Sequence, residues 1–258
     1  MLSVVLATHN EESNLAACLD SIRDIADDII VVDGESSDRT VAIAEEYQAR
    51  VIQTTNKANF HINKQIAIDA AVGEVILQLD ADEVLDPELK NFVQRITDAI
   101  SPDVLKRYQP KAWWLKRKNL FLGQYLKKGG QYPDPVIRLF LRGYAHLPQK
   151  DVHEQMVVDG EIGWADGHLL HNSNPTFQDY LRKFNTYTSF AASQLHQEQI
   201  KISIFFTLNY VFLKPIKTFF TLYLRHRGYV DGFAGLVFAI MSGLHFPVTL
   251  LKLWELDQ

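Results

Sequence analysis

Two aspartates one residue apart, Asp80 and Asp82, are followed at once by Glu83, and all three stand where an apolar run, Val75-Ile76-Leu77, comes to an end. Like charges at the end of a buried strand repel one another, and burial penalises each ionised form. A cation is needed to offset them. Carboxylates spaced as D-x-D can turn their oxygens on one divalent ion, and an oxygen-rich site that also takes phosphates suits Mg²⁺ or Mn²⁺. The competing reading is an acidic turn that caps the helix starting near Pro87. A motif this short also matches by chance, so its neighbours must decide.

The elements that would position it alternate. Leu2 to Ala7 reads as a covered parallel strand ending in Thr8-His9-Asn10-Glu11-Glu12. Asn10 is expected to cap the helix that buries Leu15, Leu19 and Ile22, with Cys18 beside them. A second strand over 28–32 ends in Asp33-Gly34-Glu35-Ser36-Ser37-Asp38, and Asp38 is well placed to cap the next helix. Arg50 to Thr54 is a third strand, a helix follows from about His61 to Ala71, and Glu74 to Leu79 is the fourth strand. Such alternation predicts an α/β fold built on a mostly parallel sheet flanked by helices. Sheets of this kind bind ligands at the carboxyl ends of their strands. Asn10, Asp33 and the Asp80/Asp82 pair should therefore meet in one crevice.

No G-x-G-x-x-G follows the first strand and no G-x-x-x-x-G-K-[ST] occurs, so a glycine loop is not what cradles phosphate here. A metal held by Asp82 would serve instead. Beyond a helix over 87–100, Ala112 to Phe121 reads as a strand or hairpin carrying Trp113 and Trp114, and 136–140 as another strand. Asp151 and Glu154 flank Val152-His153, and His168 and His171 precede an Asn172-Ser173-Asn174-Pro175 turn. The two histidines are not at helical i, i+4 spacing, which argues against a zinc site made by that pair.

The chain has 258 residues, 47% of them hydrophobic and 22% charged, as an ordinary globular protein does. A net charge of −5 argues against a general nucleic-acid binder. Cys18 is the single cysteine, which excludes an internal disulfide. The first residues read as a strand and not as a signal peptide, so a reducing cytoplasmic setting is the default expectation. From Ile202 the composition shifts to aromatic and apolar runs punctuated by Lys214, Lys217, Arg225 and Arg227, and 232–251 hold no Asp, Glu, Lys or Arg. Gly235, Gly243, His245 and Pro247 interrupt that last stretch, so interfacial helices on an anionic leaflet are expected ahead of a membrane crossing. A packed helical subdomain or a homo-oligomer contact is the alternative.

Taken in order, these motifs resemble family 2 glycosyltransferases of the GT-A fold, which are inverting enzymes using nucleotide-diphosphate sugars. The matching pieces are residues 3–12, Val31-Val32-Asp33-Gly34-Glu35-Ser36-Ser37-Asp38-Arg39-Thr40, and Leu79-Asp80-Ala81-Asp82-Glu83. Tyr132-Pro133-Asp134, Arg138-Leu139-Phe140, Val152-His153-Glu154, Leu170-His171-Asn172-Ser173 and Gly228-Tyr229-Val230-Asp231-Gly232 look most like the lipopolysaccharide-core β-1,4-glucosyltransferase group. Val72-Gly73-Glu74 departs from the family's usual Thr-Gly or Ala-Gly pair and touches no expected ligand.

The resemblance implies a catalytic domain over 1–200, with a nucleotide-binding half to residue 100 and an acceptor half beyond it, and a helical extension over 201–258. It implies that Thr8, Asn10, Glu11, Asp33, Lys64, Asp80 and Arg138 bind the nucleotide, Asp33 at the base. Asp82, with Asp80 and His171, would hold the divalent cation. Glu154 would be the general base, with Asp151 in reserve. The implied partners are a UDP-sugar, with glucose the sugar the family suggests, an envelope glycan or glycolipid acceptor, and the inner face of the cell membrane. Two other classes compete. A nucleotidyltransferase would want a Gly- and Lys/Arg-rich loop after the first strand, where this chain is acidic. A non-catalytic membrane-associated scaffold would have no use for Asp80, Asp82 and Glu154.

Overall fold

The sheet is assembled from the runs that periodicity singles out. In the computed structural model, which describes residues 1–57, 59–148 and 155–258, the N-terminal strands are β1 (Leu2–Thr8), β2 (Asp28–Gly34), β3 (Arg50–Thr54) and β4 (Val75–Leu79). Helices α1 (Leu15–Ile22), α2 (Thr40–Glu46) and α3 (Phe60–Asp69) connect them. Next come β5 (Glu83–Leu85), α4 (Pro87–Ala99) and α5 (Pro102–Leu105), then β6 (Ala112–Phe121), β7 (Gln124–Tyr125) and β8 (Asp134–Leu141). The short β9 (Ala145–His146) and β10 (Val157–Val158) pair with each other, and β11 (Ile162–Asn174) follows.

Strand order is β3-β2-β1-β4-β8-β6-β11-β5. The pairings β3–β2, β2–β1 and β1–β4 are parallel, as the alternation predicts, while β8 joins β4 and β11 joins β5 antiparallel. The fold is α/β. Successive side chains of a strand point to opposite faces, and β1 shows the result. Leu2, Val4 and Leu6 enter one core with α1 and α4, whereas Val5 enters a second with Ala67 and Ile68 of α3. The sheet is therefore covered on both sides. Trp113 and Cys18 are buried in the first core.

By contact the chain divides into two compact units, one of Met1–Arg117 with Pro135–His171 and one of Lys118–Asp134 with Asn172–Gln258. The second is helical. It holds α6 (Phe177–Gln197), whose first turn is capped by Thr176 Oγ1 accepting from the Asp179 N–H at 3.1 Å. A continuous helical segment then runs over 204–225: α7 (Ile204–Leu208), a π turn (Asn209–Leu213), α8 (Lys214–Phe220) and a second π turn (Thr221–Arg225). After a 3₁₀ turn at Gly228–Asp231 comes α9 (Gly232–Leu256), which contains Pro247. Glycines let these helices approach closely. A Cβ on Gly235 would lie 1.9 Å from the Gly228 carbonyl oxygen, and one on Gly243 would lie 3.0 Å from that of Pro215. The helical extension is present as expected, and its helices begin at Phe177, ahead of the shift in composition.

One local expectation is overturned. Asn10 does not cap α1, which starts at Leu15 with Asn14 at the cap position. Asn10 instead takes a left-handed conformation (φ 56°), which Asn tolerates better than most residues.

Candidate active site

Register brings the first two strand ends together. Thr8 lies opposite Asp33, and its hydroxyl donates to Asp33 Oδ1 at 3.2 Å. Asp33 Oδ1 also accepts from the Ser36 hydroxyl at 2.5 Å and Oδ2 from the Ser36 N–H at 2.9 Å. This carboxylate is buried beneath its own loop and occupied by protein donors. Asn10 stitches the two loops: its N–H donates to Ser36 Oγ and its Oδ1 accepts from the Ser37 N–H, both at 2.8 Å. The Glu11 N–H reaches Thr40 Oγ1 at 2.8 Å, and Asp38 accepts from the N–H of both Glu12 and Thr40. His9 Nδ1 lies 2.6 Å from the Gly34 carbonyl oxygen, which can only accept, so that nitrogen carries the proton.

The acidic stretch is not a helix cap, because Asp86 caps α4 by accepting from the Leu89 N–H at 2.9 Å. Each of its carboxylates has a cation or a histidine at hand. Lys64 Nζ, on α3, is 2.5 Å from Asp80 Oδ1, and Arg138 donates to Asp80 Oδ2. Glu83, fully buried at 0% exposure, accepts from Arg138 Nη2 at 3.1 Å and Arg117 Nη1 at 3.3 Å. Its other oxygen accepts from the Asp80 N–H at 2.9 Å, which fixes the turn of the motif. Arg138 also donates to Gln78 Oε1, because the antiparallel register that sets Leu139 opposite Leu77 lays it against the end of β4. Asp80, Asp82 and Glu83 are thus balanced by Lys64, Arg117 and Arg138, the pairing that buried charges need.

Burial alone would raise the pKa of Asp80, but Arg138 and Lys64 outweigh it and hold the carboxyl well below the usual range. Burial lowers the Lys64 ammonium, with Arg138 adding to the shift and Asp80 opposing it. Beneath the motif, burial and then the nearby carboxylates push the Cys18 thiol well up, and its Sγ lies 3.6 Å from the Asp80 carbonyl oxygen.

Asp82 faces a different partner. In the β5–β11 register His171 sits opposite Glu83, which leaves His171 Nε2 3.3 Å from Asp82 Oδ2. His168, three residues earlier and so on the other face of β11, pairs with Asp86 at 2.9 Å. The two histidines therefore serve different carboxylates. Among the described residues no group of three or more His, Cys, Asp and Glu is arranged to hold a metal. A carboxylate oxygen and an imidazole nitrogen side by side nonetheless fit a divalent ion whose other ligands arrive with a phosphate-bearing substrate. Asp80, with both oxygens engaged by cations, is less suited to join them.

Two cavities open on this cluster. One of about 300 Å³ is lined by Thr8, His9, Glu11, Asn63, Asp82 and His171, the other of about 260 Å³ by His61, Arg117, Arg138, Leu147, Gln155 and Met156. Phe60, Lys64 and Asp80 line both. The structure thus brings Thr8, Glu11, Lys64, Asp80, Asp82, His171 and Arg138 to one place. Asn10 lies in the stitched loops and Asp33 behind them. Asp151 and Glu154 fall outside the described residues, although Gln155, next in the chain to Glu154, lines the second cavity. Sequence reading gave no role to Glu83, Arg117 or Asn63. Arg117 had a signal: it follows buried Trp113 and Leu115 at a spacing of two, so it must share their face.

The model of glycosyl transferase family 2 matches residues 3–149, more than half of the chain. The chain belongs to that family. The transferase is similar to an uncharacterized glycosyltransferase of Rickettsia typhi, 28% identical over 99% of this chain and 87% of the relative. It is equally similar to LpsC of Rhizobium meliloti, a lipopolysaccharide core biosynthesis glycosyltransferase, at 28% identity over 98% of this chain and 92% of LpsC. Among solved structures, TarS of S. aureus in complex with UDP aligns over 98% of this chain and 88% of its own at 16% identity, with a TM-score of 0.47. That likeness is too loose to carry an assignment.

Proposed function

We propose that this glycosyltransferase moves a sugar from a UDP-sugar to an envelope glycan or lipid-linked acceptor by a single inverting displacement. The observation that carries the reading is the pair of adjoining cavities with Lys64 and Asp80 on their common wall and Asp82 beside His171 at the edge of the first. The nucleotide belongs in the cavity lined by Thr8, Glu11 and Asn63, whose buried Oδ1 has no hydrogen-bond partner among the described residues and would accept an N–H from a base. The sugar extends past Lys64 and Asp80 towards Arg138 and Arg117. UDP is favoured as the carrier by the family's motifs, and the acceptor class by the similarity to LpsC.

Asp82 and His171 would hold a divalent cation, Mn²⁺ or Mg²⁺, which when bound supplies Lewis-acid stabilisation of the leaving diphosphate. The protein's own part is positional and electrostatic. Lys64 adds a buried positive charge where the leaving group gains negative charge, and a charge held there before reaction costs no reorganisation. Arg138 and Glu83 fix the Asp80 turn so that Asp82 cannot swing away. Inversion requires a base on the face opposite the leaving group to take the acceptor hydroxyl proton. Glu154 is proposed for that role, with Asp151 its alternative.

Calorimetric titration of UDP into the purified protein tests the donor site. Binding should require Mn²⁺ or Mg²⁺ and disappear in Asp82→Ala. UDP binding that ignores both metal and Asp82, or none at all with any metal, would sink the reading. Glu154→Gln should keep that binding and lose transfer.

A further inference from the structure

The helical unit carries a surface that the chemistry of transfer does not use. Along 204–225 the exposed apolar side chains are Ile204, Phe205, Leu208, Phe212, Leu213, Ile216, Phe220 and Leu224, and Phe205 is 81% exposed. All but Ile204 and Leu213 recur every three or four residues and form one stripe on the outer face of the helix, which Ile204 and Leu213 widen. The inner face is accounted for: Tyr210 is buried with its ring 5.9 Å from Phe246 of α9. Isolated exposed apolar residues are ordinary, whereas a contiguous stripe marks an interaction site.

Charge says what would cover it. Residues 199–230 contain Lys201, Lys214, Lys217, Arg225 and Arg227 and no Asp or Glu, in a chain whose net charge is −5. A second basic element is tied to the end of the stripe. Asp231 is buried, and its two carboxylate oxygens accept from the N–H groups of Lys127 and Lys128 at 2.9 and 2.8 Å. The Gly129 N–H donates to the His226 carbonyl oxygen at 2.9 Å. These bonds spend the negative charge of Asp231 on backbone and leave both lysine side chains exposed beside Arg225 and Arg227.

We propose that this surface seats the protein on an anionic phospholipid leaflet, the apolar stripe at the acyl boundary and Lys127, Lys128, Arg225 and Arg227 against the headgroups. An amphipathic helix with a basic flank is the kind of element that lies in such an interface. The inference deepens the reading of a lipid-linked acceptor, and it rests on that reading only for its biological sense. Asp231 is a positioning residue within it.

The test is flotation of the full-length protein with vesicles of phosphatidylcholine alone or mixed with phosphatidylglycerol. Binding should need the anionic lipid and weaken at high salt. Each removed headgroup contact should lower partitioning about fivefold, so Lys127→Gln/Lys128→Gln should lower it about 25-fold. Phe212→Ser/Ile216→Ser should abolish binding while circular dichroism and UDP titration stay as in the parent. Equal binding to neutral vesicles, no binding to either, or no effect of the lysine pair would overturn the proposal. So would resistance to carbonate extraction, which means a membrane-crossing α9, or a dimer that the Phe212/Ile216 variant breaks, which means the stripe covers a second copy. Loss of UDP binding with vesicle binding intact would instead count against the donor site alone.

Discussion

Replacing Arg138 by methionine removes one guanidinium and keeps the aliphatic stem that packs beside it. Among the described residues, Glu83, with no exposed surface, then loses one of its two cations, and Asp80, 26% exposed, keeps Lys64 alone. Breaking a buried pair by removing one partner costs about 3–5 kcal/mol. Because both carboxylates retain a cation, the lower end applies, about 3 kcal/mol. With a urea slope of about 2 kcal/mol per molar, the unfolding midpoint should fall by about 1.5 M. Arg50→Met is the control. Arg50 bonds Asp28 at 3.0 Å but is half exposed, and such a pair is worth under about 1 kcal/mol. Adding Glu83→Gln to Arg138→Met should return at least about 1 kcal/mol, since one carboxylate no longer lacks its partner. Urea melts of the parent, Arg138→Met, Glu83→Gln, their double variant and Arg50→Met decide. If Arg138→Met costs no more than Arg50→Met, or the two cluster substitutions simply add, the balanced-charge account fails.

Further outcomes follow from other parts of the molecule. His171→Ala should weaken metal-dependent UDP binding by more than the roughly tenfold that losing an outer-sphere partner costs, read by the same calorimetry. Because the folded pKa of Asp80 is depressed, its contribution to stability is complete above the unfolded value of about 4 and is lost as pH falls below it. Asp80→Asn should therefore flatten the loss of stability between neutral and acidic pH, measured by urea melts at each pH. Cys18 is buried with a raised pKa, so thiol reagents should leave it untouched in the native protein and titrate one thiol after denaturation. Gly235→Ala would set a methyl 1.9 Å from the Gly228 oxygen, and backbone must move. Thermal melts should show the helical unit destabilised by about 1–3 kcal/mol, the usual cost of overpacking.

How much of this was legible beforehand depended on the range of the interaction. β1 to β4 and their helices were readable because each buries a local period, two for Val4 and Leu6, three to four for Leu15 and Leu19. Strand ends predicted that Asn10, Asp33 and the Asp80/Asp82 pair meet in one crevice. Asp80 and Asp82 line the first cavity, whereas Asn10 and Asp33 are held in the loops beside it. The fate of each carboxylate did not follow from strand ends. Asp33 is taken up by Ser36 and Thr8, and Asp80 by Lys64 and Arg138, through registers and a helix packing angle that no local pattern encodes. Asn10 has the right side chain for a cap, yet partners from the neighbouring loop held it elsewhere. Glu83 is given no role of its own by the sequence and is the most buried of the three carboxylates.

The division of the chain has a bearing on how the protein is made. The polypeptide passes from one unit to the other three times, after Arg117, Asp134 and His171. The helical part is therefore no detachable appendage. The N–H groups of Lys127 and Lys128 wait for an acceptor 104 and 103 residues further on. During synthesis β1 to β4 can pair as they emerge, but the Lys127 and Lys128 amides cannot meet their acceptor until Asp231 has left the ribosome. Contacts of such separation form late. A chain cut short before Asp231 would thus lose more than its end: it would leave the Lys127 and Lys128 N–H groups, in the middle of the sequence, without the carboxylate that holds them.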